Sequence, residues 1–172
     1  MQSSIEEKRE SICQTLKQLE SRETLSQEDY DLLRTWAADS NSEIRTLIVG
    51  FLAQRTEQSA GKLLLTLSHD PDPAVRAYAL DVLCNFPGDE RIFTSLMAAF
   101  DAHPEKLAMY ASLLGKLGDD RALEPLYESL KQPDINYLDY LEVRNAIEML
   151  GGTVDGERDF SGDPYYETLK GV

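Results

Sequence analysis

The sequence predicts an all-α fold, a right-handed α-solenoid (an α–α superhelix) of about four helical hairpins, with a capping helix at its N-terminal end and an irregular cap at its C-terminal end. Two observations carry the prediction. Three stretches, "DSNSEIRTLIVGFLAQR" from Asp39, "DPDPAVRAYALDVLCNF" from Asp70 and "DAHPEKLAMYASLLGKL" from Asp101, begin on aspartates 31 residues apart, the mark of a repeat architecture. Within them Ile44, Val75 and Lys106 share a column, as do Val49, Leu80 and Ala111, and Leu52, Leu83 and Leu114. These columns keep the i, i+4, i+7, i+8 spacing of one buried helix face.

From the N-terminus, "SSIEEKRESICQTLKQLE" places Ile5, Ile12, Leu16 and Leu19 on one side of an amphipathic helix. Such a helix would cover the open face of the first repeat, so residues 1–22 form the N-terminal cap. "SQEDYDLLRTWAA" follows, with Leu32, Leu33, Trp36 and Ala37 as its apolar face and Ser26 with Asp29 as a capping-box start. "EQSAGKLLLTLS", "DERIFTSLMAAF" and "DDRALEPLYESL" are its counterparts ahead of the later aspartates, so every unit reads helix, turn, helix. In the turn "HDPDPAV", Asp70 or Asp72 can accept from free N–H groups at the next helix start, and Pro73 loses no useful donor there. An aspartate facing Arg45 or Arg76 of a neighbouring unit would add charge-assisted hydrogen bonds. Gly118 in "LGKLGDD" is a helix C-cap rather than part of a phosphate loop. A fourth unit from Asp134 matches once five residues are inserted in its turn, which brings Val143, Ile147 and Leu150 into register. The repeats thus span residues 26–151 of a single domain covering 1–172. The acidic tail 152–172 carries Phe160, Tyr165 and Tyr166. It either packs over the last repeat or serves as a recognition peptide.

The segments "LLLTLSHDPDPAVRAYALDVLCNFPGDERI" and "LGKLGDDRALEPLYESL" resemble HEAT repeats of the short bacterial, phycobilisome-lyase-like type, in which a D-P-x-x-x-V-R turn leads a helix ending near L-G-x-L-G-D. Two departures stand out: Leu107 in place of the usual Arg, and the inserted turn of the fourth unit. The resemblance implies a protein-binding scaffold whose second helices line a concave face. It also admits immunity proteins that block a toxin, and lyases or lyase subunits acting on phycobilins. Fold alone does not choose among these.

Charge narrows the partner. Seventeen Lys and Arg against 31 Asp and Glu leave a formal charge of −14, which repels phosphate backbones and anionic lipids and favours a basic protein. Nucleic acid and membrane are therefore not expected partners. The longest apolar runs fall far short of the roughly 20 residues that cross a bilayer, and the acidic N-terminal segment resembles no secretory signal. A cytoplasmic location is the expectation, with Cys13 and Cys84 as free thiols.

A catalytic constellation is not visible. His69 and His103 sit at corresponding turns without Cys or His at metal-ligand spacing. Ser, Cys and His form no elbow or dyad, and the pairs Asp89/Glu90 and Asp119/Asp120 begin helices, where the dipole accounts for them. No enzyme activity, cofactor or metal is expected. What remains is surface. Three residues after the first core column stand Leu47, Tyr78 and Met109, with Ala146 in the fourth unit, an apolar ladder on successive second helices. With Asp81 and Glu142 beside it, the ladder suits a partner offering apolar anchors and basic flanks; the competing reading buries it between repeats.

Overall fold

The computed structural model describes residues 2–86, 88–156 and 158–170. Among them the fold is all-α, with ten α-helices, two 3-10 turns and no strand. The chain divides into two compact units, Met1–Phe86 and Pro87–Val172.

The first unit holds α1 (Gln2–Glu20), α2 (Gln27–Ala37), α3 (Ser42–Leu52), α4 (Gln58–Leu67) and α5 (Pro73–Leu83). α2 pairs with α3 and α4 with α5, while α2 stacks on α4 and α3 on α5. α1 lies against α3 as a further second helix. The repeat columns form its core: Ile44, Ile48, Val49 and Leu52 of α3 and Val75, Ala79, Leu80 and Leu83 of α5 are all buried. Ile12, Leu16 and Leu19 of α1 are buried as their spacing requires, whereas Ile5 is 47% exposed. α1 has 19 residues to the 11 of α3, so its first turns have no helix of matching length to lie on. In α2 the packed stripe runs through Tyr30 and Leu33. Leu32, expected on that face, is 37% exposed, because the helix rotates about 100° per residue and Leu33 points inward.

The predicted caps at Ser26 and Asp72 are present, together with one at Asn41 that was not expected. Ser26 and Asp29 form a reciprocal capping box, Asn41 accepts from Glu43 N, and Asp72 accepts from Ala74 N and Val75 N with Pro73 at the first helical position.

The second unit holds α6 (Glu90–Ala102), α7 (Leu107–Leu117), α8 (Leu123–Leu130), α9 (Tyr137–Met149) and α10 (Pro164–Lys170), with 3-10 turns at Pro104–Lys106 and Asp120–Ala122. Its repeats follow the same pattern, α6 on α7, α8 on α9 and α7 on α9. Two register expectations change here. Asp101 lies in the last turn of α6 instead of a loop, and Lys106 sits half-buried in the 3-10 turn. Where Asn41 and Asp72 cap the earlier helices, the third repeat has His103, whose side chain caps nothing. α7 therefore starts late, and Leu107 takes the core place that Lys106 was expected to fill. In the fourth repeat Asn136 caps α9, and Val143 and Ile147 are buried as predicted. Gly118 ends α7 at φ 76°, a left-handed C-cap.

Residues 158–170 pack on α9. Phe160 is buried between Tyr137 and Tyr140, with ring centroids 5.1 and 4.9 Å away, and Tyr166 meets Tyr137 edge-on at 4.8 Å. Asp163 repeats the chemistry of Asp72: followed by a proline, it accepts from Tyr165 N and Tyr166 N at 2.9 and 3.1 Å. Of the two readings of the tail, packing over the last repeat is the one observed for these residues.

Candidate functional site

The turn aspartates serve structure. Asp70 takes a buried two-armed hydrogen bond from Arg45, 2.7 Å on each arm, and accepts from Asp72 N at 2.8 Å in a part-buried contact. Arg45 also reaches the Asp39 carbonyl at 2.7 Å, and Arg76 the Asp70 carbonyl at 2.6 Å. Burial works to raise the Asp70 pKa, but the Arg45 and Asp72 bonds outweigh it and hold the carboxyl below its ordinary range. The same device recurs with other donors. Asp39 accepts from Lys8 of α1, which lowers its pKa. Asp139 accepts from Ala108 N at the start of α7, and Asp163 from Tyr137 N at the start of α9, each at 3.0 Å. In each case an aspartate at or just before the start of one helix accepts from a group in the N-terminal half of the preceding second helix.

The acidic pairs are equally occupied. Asp89 and Asp119 accept from backbone N–H groups two residues on. Arg121 joins Asp119 to Glu90 and lies over the Phe93 ring at 4.1 Å, its pKa raised first by the Asp119 bond and then by Glu90. His69 is exposed, its Nδ1 against the Leu65 carbonyl at 3.0 Å. His103 is half-buried beside Glu105 and stacked on Tyr110. Among the described residues no group of three or more His, Cys, Asp or Glu is arranged to hold a metal ion. No helix among them is long and apolar enough to cross a membrane.

The predicted ladder divides between the units. Leu47 of α3 and Tyr78 of α5 come together in the first unit, lining one groove of about 400 Å³. Asp81 stands half-buried on α5, three residues after Tyr78. Met109 and Glu142 are half-buried on α7 and α9 of the second unit. Ala146 does not belong to the ladder: it is fully buried, because α7 and α9 approach so closely at Gly115 that a Cβ there would lie 2.9 Å from Ala146 Cα. Counted from its cap, Val143 falls where Ile48 and Ala79 stand, so α9 is turned relative to the alignment that exposed Ala146.

Sequence reasoning missed half of the groove. Leu16, Lys17 and Glu20 of α1 and Phe51 of α3 complete its walls, and Gly50 lies between them. The signal was available, since one further step of 31 residues back from Leu47 lands on Leu16, just as it leads from Asp39 to Lys8. Gly50 is a second signal, because a glycine inside an apolar helix costs about 1 kcal/mol unless packing uses it. Here a Cβ at Gly50 would lie 3.4 Å from the Tyr78 hydroxyl, so the missing side chain leaves room for the tyrosine and for the groove. A second cleft, about 370 Å³ between α2 and α4, is rimmed by Arg34 and Lys62. Its charge has the wrong sign for a basic partner.

Helical hairpins stacked at a fixed repeat, with second helices joined through turn aspartates, agree with the family comparison. The family model for HEAT repeats matches residues 60–151, more than half of the 172-residue chain. The chain belongs to the HEAT-repeat family. HEAT repeats are an α-solenoid architecture that commonly mediates protein–protein interaction and generally acts as a non-enzymatic scaffold. The matched segment begins within α4, so α1, α2 and α3 lie outside it although they follow the same spacing. No curated protein matches this HEAT-repeat chain.

Proposed function

We propose that this chain is a non-catalytic binding module that takes a basic protein partner in the groove between α1, α3 and α5. The observation that carries the reading is the convergence of Leu47 and Tyr78, 31 residues apart, on one apolar groove within a family of protein-binding scaffolds. Residues 1–86 hold nine Lys and Arg against fourteen Asp and Glu, a field that draws a cationic partner in before the apolar walls are desolvated. Leu47 and Tyr78 anchor the contact, and Asp81 of α5 is kept as a candidate outside the groove lining. Met109 and Glu142 are the separate candidates of the second unit.

A photo-crosslinking residue placed at position 78 tests this directly, with Lys62 on the opposite cleft as the control position. Adducts with a basic protein at 78, absent at 62 and lost at high salt, are expected. Equal adducts at both positions, or none at 78, would overturn the reading.

A further inference from the structure

The groove's own geometry selects the secondary structure of what it binds. Its floor follows α3 from Thr46 and continues to Gln54, two residues past the helix end, about 12 Å at 1.5 Å per residue, or a little over two helical turns. Its walls come from helices, whose backbone N–H and C=O groups are spent on their own i to i−4 bonds except for carbonyls in the last turns. Of the side-chain groups, Thr46 Oγ1 already donates to the Ser42 carbonyl at 2.9 Å, and Lys17, Glu20 and Gln54 are further polar side chains in the lining, too few to replace a strand edge. An extended segment seated here would bring backbone donors and acceptors into an apolar groove with no strand edge to receive them, and each one left unpaired is costly. A helix arrives with those groups already satisfied and presents side chains alone, at i, i+4 and i+7.

Resting on the proposed binding function, we infer that the occupant is the apolar face of an amphipathic α-helix about two turns long with basic residues along its polar edge. The net acidity of residues 1–86 supplies the charge preference; within the lining itself Glu20 is the carboxylate that can meet a lysine or arginine, and Lys17 beside it balances its charge, so the preference rests on the field of the whole unit. Leu16, Leu47, Phe51 and Tyr78 receive the apolar anchors.

The test uses the full chain and a fluorescein-labelled 15-residue peptide of Leu, Lys and Ala, with leucines at i, i+4 and i+7. Two control peptides carry a central proline pair or Glu in place of every Lys. Gly50→Met fills the groove while replacing a poor helix former, and Leu47→Glu charges its wall; circular dichroism melts establish that each variant is folded. The helical basic peptide should bind with a gain in its own helicity, and at least about tenfold more weakly to either variant. The proline and Glu peptides should bind the wild-type chain at least about tenfold more weakly as well. Equal binding of the proline peptide would show an extended ligand, and equal binding of the Glu peptide would remove the basic edge. Unchanged affinity for both variants would move the site elsewhere. Light scattering covers the remaining occupant: a wild-type dimer dissolved by Gly50→Met would assign the groove to a second copy of the chain. If crosslinks form at position 78 but the helical peptide does not bind, the helix inference falls while the binding function stands.

Discussion

The two units carry the same repeat but join their second helices by different means. In the first unit α3 and α5 are tied at the top by Arg45 and Asp70, a buried ion pair with every carboxylate oxygen in use. In the second unit the position equivalent to Arg45 is Leu107, which is buried. There α7 and α9 are held by close contact at Gly115 and Ala146 and by Asp139 on the α7 N-terminus. The difference teaches that the repeat specifies which helices are neighbours and leaves open how closely they approach and how they are held. It also bears on the site. The first unit leaves a groove open over Gly50, whereas the second brings its helices together at Gly115, where Ala146 fills the space.

The sharpest way to break the comparison is Asp70→Ala, which strands the buried Arg45 guanidinium. A loss of about 3–5 kcal/mol in urea unfolding is expected, with hydrogen exchange locating the opening in α3 and α5. Transplanting the second unit's solution should limit the damage. Arg45→Leu combined with Asp70→Asn should cost less than the sum of the single changes, by a coupling of about 1–3 kcal/mol. Additivity would mean that the two side chains do not act as a pair.

The mirror experiment is Gly115→Val. The new Cβ would stand 2.9 Å from Ala146 Cα and 3.1 Å from its Cβ, so two helix backbones must part. About 1–3 kcal/mol should be lost, with the opening confined to α7 and α9. An unchanged melting curve would show that the helices separate freely.

The mildest effect is the response to acid. Asp29, Asp39 and Asp70 all have folded pKa values below their ordinary ones, Asp29 and Asp39 mainly through hydrogen bonds from Ser26 and Lys8 respectively. Their contribution is complete above the unfolded value of about 3.9 and is lost as pH falls through the lower folded values. Stability should therefore be flat from about pH 7 to 5 and decline below about pH 4. A decline that begins near pH 6 would mean that groups other than these aspartates set the acid response.

Much of this was legible because it is local or periodic. The 31-residue step carried the core columns of α3 and α5, and the Ser26, Asp72 and Gly118 caps are written in single residues, whereas which arginine, Arg45 or Arg76, would face a turn aspartate was left open and only the structure pairs Arg45 with the Asp70 carboxylate. The errors have more than one source. Lys106 was misplaced because the missing cap at His103 delays α7, and Ala146 because the inserted turn hid the rotation of α9. Ile5 and Leu32 were placed by their own helix's periodicity, but whether an apolar position is covered depends on the helices packed beside it. The α1 wall of the groove was missed for the same reason, since Leu16 was understood only as core.

By itself, then, the sequence determined the all-α repeat, its caps, its acidic field and the candidate residues Leu47 and Tyr78, because each follows from spacing, side-chain chemistry or a sum of charges. Only the tertiary structure decided which ladder residues share a groove, and that α1 completes it. Those outcomes depend on how close two helices come, and that distance is set by pairs such as Gly50 with Tyr78 and Gly115 with Ala146, contacts between residues far apart in the chain.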